Sequence, residues 1–161
     1  MPRLPQSRSW PARRQRAFTL IEIAVVVVIL GLLIALTLPG YRRITLKTKA
    51  TAVTNDLRSF AGTFANYQLQ NGVWPVGGTG PGNIPPEMTN ALAVAFTKPT
   101  PIGGQYEWIS NSTYKGAIGI TLDGGADSEQ LDLIDSMLDD GDTSKGNVVI
   151  SGPDLIYIIE K

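Results

Sequence analysis

The stretch RRQRAFTLIEIAVVVVILGLLIALTLPGY, residues 13–41, decides the fold. Within it, residues 18–38 make a run of 21 positions in which Glu22 is the only charged side chain. As a helix, at about 1.5 Å rise per residue, that run reaches roughly 30 Å, the hydrocarbon thickness of a bilayer. A buried core helix is normally amphipathic and shorter. A secretory signal has an apolar region of only about 7–15 residues and is cut after it, not before. Membrane insertion is therefore the expectation, and the Glu22 carboxylate is the problem it raises. A charge at the middle of a membrane helix costs on the order of 2.5–3.5 kcal/mol, and less near an interface.

Glu22 lies near the start of the run, so it either sits at headgroup level or meets a cation. Residues 23–38 supply none. A cut before Phe18 would create one, an α-amine with an ordinary pKa of about 7.7–8.0. On the same chain that amine lies one helical turn from Glu22; on a neighbouring chain it could reach Glu22 across a helix interface. A carboxylate in the first turn also suits the helix dipole.

Charge divides the rest of the chain. The formal balance is zero, yet Arg3, Arg8, Arg13, Arg14 and Arg16 precede Phe18 with no acid among them. From Phe18 onward nine Lys/Arg face all fourteen Asp/Glu, 9 − 14 = −5. A basic head on an acidic body predicts separate fates for the two parts, and the acidic body argues against nucleic acid as a partner. Arg42, Arg43, Lys47 and Lys49 follow the apolar run, so the positive-inside rule gives only a slight preference for a cytoplasmic N-terminus. The chain has no cysteine and no histidine, which removes disulfides, thiolate metal sites, cysteine nucleophiles and His-dependent acid–base catalysis.

Arg13-Arg14-Gln15-Arg16-Ala17, then Phe18-Thr19-Leu20-Ile21-Glu22 and the apolar run, resembles the cleavage and methylation segment of the type IV prepilin family. That family comprises type IV pilins and the pseudopilins of type II secretion. The resemblance implies cleavage between Ala17 and Phe18 by a membrane-embedded prepilin peptidase, N-methylation of Phe18, and pairing of Glu22 with a neighbouring subunit's N-terminal amine during assembly. Ala17 stands where the family usually has Gly. Gly31 and Pro39 also match common positions. The implied product is a filament, with other pilin-like subunits, an assembly ATPase and a platform protein as partners. The implied location is the inner membrane, single-pass, with the head in the periplasm or outside the cell.

Pro39 has no N–H and its ring clashes with the carbonyl of Ala35, so a kink or break is expected at Pro39-Gly40. Helical periodicity then resumes. Leu46, Ala50, Val53, Leu57, Phe60, Phe64 and Tyr67 form one apolar face, with Lys47, Lys49, Asp56 and Arg58 falling away from it. The expectation is a basic leader at 1–17, a transmembrane helix at 18–38 and an amphipathic helix at 39–72, bent near Pro39 and capped by Asn71-Gly72, leading into a head at 73–161. The segment 73–86, VWPVGGTGPGNIPP, reads as a connection; it lacks the spacing and lysine of a phosphate loop. EMTNALAVAF, 87–96, reads as a short helix. QYEWIS (105–110), KGAIGITL (115–122), NVVIS (147–151) and LIYIIE (155–160) read as strands of an antiparallel sheet. DSEQLDLIDSMLDD reads as a helix with Leu131, Ile134 and Leu138 inward and Asp127 as N-cap. The pattern is α+β, a long N-terminal helix packed on a small antiparallel β-sheet; the pilin-like topology is what the resemblance implies.

Residues 123–142 carry eight carboxylates. They read either as a solvated helix face with acidic turns, or as a calcium site at Asp139, Asp140 and Asp142, with Ser144 near and Asp123 approaching from another loop. The EF-hand spacing is missing. The resemblance adds weight to calcium, since some major pseudopilins hold it in a loop of the head. Nothing matches a glycosidase cleft or a nucleophile elbow, so no enzyme is expected. Without cysteines the chain lacks the C-terminal disulfide loop typical of one pilin class, and GVWP at 72–75 is loosely like the aromatic-Pro turn of major pseudopilins. The reading is a prepilin-like subunit of a type II secretion pseudopilus or a related filament. The alternative from another class is a single-pass anchored binding module, neither cleaved nor polymerised.

Overall fold

A computed structural model describes residues 18–161, apart from Thr79, Ala93 and the side chains of 37–39. The basic leader and Ala17 lie outside the described residues. The first element, α1 (Leu20–Asn71), is a single helix of 52 residues that passes through Pro39 and Gly40 without ending. Its end follows from the sequence: Gly72 takes φ +73°, and its amide donates to the Gln68 carbonyl at 2.7 Å. The chain divides into two compact units, one ending at Gly40 and the other running from Tyr41 to Lys161.

In the second unit, the rest of α1 packs on four strands: β1 (Gln105–Ile109), β2 (Gly116–Thr121), β3 (Val148–Ser151) and β4 (Asp154–Glu160). A second helix, α2 (Ser128–Leu138), links β2 to β3. All pairings are antiparallel and the spatial order is β1-β2-β4-β3. The four runs read as strands are the four strands.

Alternation along the strands sends Tyr106, Trp108, Ile118, Ile120, Val148 and Leu155 to one core, where they meet Ala50, Val53, Leu57, Phe60 and Phe64 of α1. The centre is aromatic. Phe64 stacks on Trp108 with centroids 3.9 Å apart and planes at 7°, and Phe60 meets Tyr106 edge-on at 5.0 Å. A smaller cluster of Ala117, Ile156 and Ile158 covers the other face of the sheet.

The Gly/Pro-rich connection is pinned at several points. The Trp108 indole N–H donates to the Pro75 carbonyl at 3.0 Å, and the Trp74 indole donates to Glu160 at 2.9 Å. The Gly82 amide donates to the Tyr106 carbonyl at 2.7 Å, and Pro99 bridges Gln105, so these segments lie along the free side of β1. At the other end of the sheet the Ile150 amide of β3 donates to the Thr143 carbonyl at 2.9 Å.

Two expectations change. Residues 87–96 are not one helix but lie across two 3₁₀ turns, Pro86–Met88 and Val94–Thr97. Hydroxyls compete for the carbonyls that an α-helix would use: Thr89 bonds back to Pro86, and Thr97 to Val94, both at 2.9 Å. Asp56 does not fall away from the apolar face. It is half-buried beside that face, and its Oδ2 accepts the Tyr106 hydroxyl at 2.8 Å, tying α1 to β1.

Candidate functional site

Two regions carry the candidate residues, one in each unit. In the first unit, α1 begins with the sequence Thr19-Leu20-Ile21-Glu22. The Thr19 amide and hydroxyl both donate to Glu22 Oε2 at 2.8 Å, and the Glu22 amide donates back to the Thr19 hydroxyl at 3.3 Å. This is a capping box, in which the N-cap residue and the third residue of the helix satisfy each other's free amides. The T-x-x-E spacing ahead of an apolar run was a legible signal for it. Among the described residues Glu22 Oε1 accepts no hydrogen bond, so one oxygen holds the helix start while the other stays open. Phe18 beside it is largely exposed, at 79%.

Beyond the cap, every large apolar side chain from Leu20 to Leu36 is more than half exposed. This half of α1 is long and apolar enough to cross a membrane. A surface of this extent on a monomer calls for lipid or protein to cover it.

In the second unit, α2 lies along α1 through three ties. Arg42 pairs with Asp127 at 2.6 Å, buried Gln130 donates to the Leu46 carbonyl at 3.3 Å, and the Arg58 guanidinium donates to the Met137 carbonyl. Asp127 is the N-cap of α2, its Oδ1 accepting the Glu129 amide at 3.1 Å. Leu131 and Ile134 point into the core as expected, with Leu138 partly buried against it.

The acids after α2 separate into two groups. Asp142 turns to Lys145, with a 2.8 Å ion pair, and accepts the Ser144 hydroxyl at 2.6 Å, which holds its carboxyl down to about 2. Asp139 and Asp140 instead converge with Asp135, each offering one carboxylate oxygen within 4.8 Å of the others. Asp123 accepts the Gly125 amide at 3.0 Å and is not one of these three. Asp135, which the sequence reading passed over, is wholly buried, and both of its oxygens lack a hydrogen-bond partner. Burial, then the charges of Asp140, Asp139, Asp142 and Asp132, pushes its carboxyl up to about 6.

Several known proteins are similar to the chain. The prokaryotic N-terminal methylation motif matches residues 12–38. The type II secretion system core protein G of Pseudomonas aeruginosa is 43% identical over 63 residues, covering 39% of this chain and 44% of that protein. The core protein G of Dickeya chrysanthemi is 32% identical over 107 residues, covering 61% of this chain and 70% of that protein. Thus the chain spans less than half of the first relative and rather more than two thirds of the second. The structure of the major type IV pilin of Clostridium difficile superposes with a TM-score of 0.50 at 16% identity, over 72% of this chain and 97% of that one, a likeness of fold.

Proposed function

Because the chain belongs to the type IV prepilin-like family, whose members are structural subunits and not enzymes, we propose that it is a filament subunit anchored and assembled through the first half of α1. A prepilin peptidase removes residues 1–17 between Ala17 and Phe18 and methylates the Phe18 amine. Residues 18–38 hold the subunit in the inner membrane with its head in the periplasm, until a platform protein and an assembly ATPase move it into the filament. There, helix contacts with other pilin-like subunits replace lipid. Pro39 leaves the Ala35 carbonyl without its helical donor, so with Gly40 it supplies a point at which α1 can yield during that transfer.

One observation carries this reading. The first half of α1, whose large apolar side chains from Leu20 to Leu36 are all exposed, holds one carboxylate, and among the described residues that carboxylate keeps an open oxygen beside Phe18. An incoming amine fits Glu22 Oε1 without breaking the cap on Oε2. Of the two filament kinds we favour the type II secretion pseudopilus, on the length of the match to core protein G.

The capping box itself supports a second reading. Thr19 alone satisfies Glu22 Oε2, so a helix that only anchors the head also accounts for this residue. The two readings part on the N-terminus and on Glu22→Ala. Mass spectrometry of membrane-extracted protein, from cells holding a prepilin peptidase, should find N-methylated Phe18. Filament output should fall sharply in Glu22→Ala. An intact leader together with normal behaviour of Glu22→Ala would establish the anchored module instead.

A further inference from the structure

Four cations stand just past the apolar run, and the proposed assembly mechanism leaves them without a role. No acid occurs between Glu22 and Asp56, yet residues 42–49 hold Arg42, Arg43, Lys47 and Lys49, four of the nine Lys/Arg from Phe18 onward. Arg42 pairs with Asp127 at 2.6 Å. The other ion pairs among the described residues join Lys115 to Glu160 and Lys145 to Asp142. Arg43, Lys47 and Lys49 are therefore exposed on α1 without an acidic partner among the described residues.

Helix stability does not account for them. Arg43 and Lys47 are four residues apart, where like charges repel and a Glu–Lys pair would support the helix. Topology does not account for them either, since cations on the head side of a span work against the positive-inside preference. Their neighbours point elsewhere. Tyr41 is 73% exposed and Ile44 68%. An amphipathic ring and an aliphatic side chain set among unpaired cations is the composition of a segment at a membrane–water interface.

The tether to the apolar run is short. Arg43 follows Leu38 by five residues, about 7.5 Å as helix and no more than about 18 Å fully extended, whatever the bend at Pro39-Gly40. The headgroup layer is about 5–8 Å deep on each side of the hydrocarbon. Lys47 and Lys49 stand about 6–9 Å further along the helix. Side chains on a helix tilt toward its N-terminus, so both long stems lean back toward the bilayer, and the remaining gap is within about one Debye length.

We propose that Tyr41, Arg43, Lys47 and Lys49 form a collar that docks on anionic phospholipid headgroups on the head side of the membrane before assembly. The collar rests on the reading of residues 18–38 as a membrane span. Arg42, already held by Asp127, ties α2 to the same stretch of α1 and adds no free charge. Phosphate oxygens are acceptors for a guanidinium and two ammonium groups, and Tyr41 and Ile44 lie in the apolar fringe below them. A subunit leaving for the filament must give up these contacts, so the charge of the leaflet sets part of the resistance to its extraction.

The test uses the full-length protein in vesicles of phosphatidylcholine, with or without phosphatidylglycerol. Lysines are acylated with a water-soluble reagent and the products counted by mass spectrometry. An ammonium held by phosphate keeps its proton and is no nucleophile, so acylation slows. With phosphatidylglycerol at low salt, Lys47 and Lys49 should react about threefold more slowly than in neutral vesicles. Lys161, next to the Trp74–Glu160 contact past the end of α1, is the internal reference and should not change. Salt at about 0.5 M should abolish the difference, and Arg43→Gln should remove roughly half of it at Lys47. Equal rates in the two vesicles would overturn the collar, as would slowing that ignores Arg43→Gln or persists in high salt. Slowing that is the same in both lipids but grows with protein density would assign these cations to the acidic face of a second copy, and would also overturn it. Alkaline carbonate extraction separates this failure from that of the anchor: a chain retained in the vesicles keeps the span and loses only the collar, whereas a chain released by carbonate loses both.

Discussion

The bond between Tyr106 and Asp56 allows a quantitative test of how the head holds its helix. Tyr106 is 1% exposed, and its hydroxyl donates to Asp56 Oδ2 at 2.8 Å across the interface between β1 and α1. Burial first, and Asp56 second, push the phenol's pKa well above its usual value, so the hydroxyl remains a donor at any ordinary pH. Tyr106→Phe removes one charge-assisted bond, worth about 1.5–3 kcal/mol net. The lower half of that range applies, because half-buried Asp56 keeps some contact with water. Asp56→Ala does different damage: it strands a buried hydroxyl, at about 1–3 kcal/mol. Removing both partners leaves nothing stranded. The double variant should therefore cost less than the sum of the singles by about 1–2 kcal/mol, a coupling of the size expected for touching groups. For a unit of this size each kcal/mol moves Tm by roughly 4 °C, so Tyr106→Phe should lower it by about 6–9 °C. Urea and thermal unfolding of the full chain in detergent, read by tryptophan fluorescence, measure all three. Additivity within about 0.3 kcal/mol would show that the two side chains are neighbours without being partners.

Three further outcomes are expected. Phe64→Ala removes a fully buried ring stacked on Trp108 and should destabilise the head by about 3–5 kcal/mol, seen as a lower urea midpoint with a changed tryptophan spectrum. Asp135 gives a pH signature: its carboxyl is raised from 3.8 to about 6, so the stability it permits is fully present below about 3.8 and is lost as pH rises through about 6. Glu107 is also raised, by burial and by Asp154, so the comparison that isolates Asp135 is the parent against Asp135→Asn, whose unfolding free energy should vary less over this window. Gly146→Ala forces a side chain into a left-handed backbone position and against Asp139, and should cost about 1–3 kcal/mol in a denaturant titration.

Much of this architecture was legible in the residues. The stripe at spacings of three and four made the helix face, and β-branched runs between turn residues made the strands. Asp127 at the head of a periodic segment made the cap. What escaped had physical causes. Strand order depends on pairings between distant segments, and β4 inserts between β2 and β3 without any local signature. Asp135 follows Ile134 and shares its face with Leu131 and Leu138, so its burial was implied by the same periodicity that placed those residues inward. Attention to charge sent it to solvent. Asp56 is the same case on α1, at three residues from Val53 and four from Phe60. For Glu22 the cost of a charge in lipid drew the reading toward an external partner, and a partner three residues away in sequence was passed over.

The segments that lie along both rims of the sheet have a further consequence. A strand with free amides and carbonyls recruits other strands, and heads arrayed at high local concentration would be exposed to that hazard constantly. Here Gly82 and Pro99 occupy the rim of β1, and Thr143 engages β3, which is only four residues long. Each such bond takes an amide or carbonyl of an edge strand that a neighbouring head could otherwise pair with. The chain's own loops thereby work against strand-to-strand fusion of one head to the next.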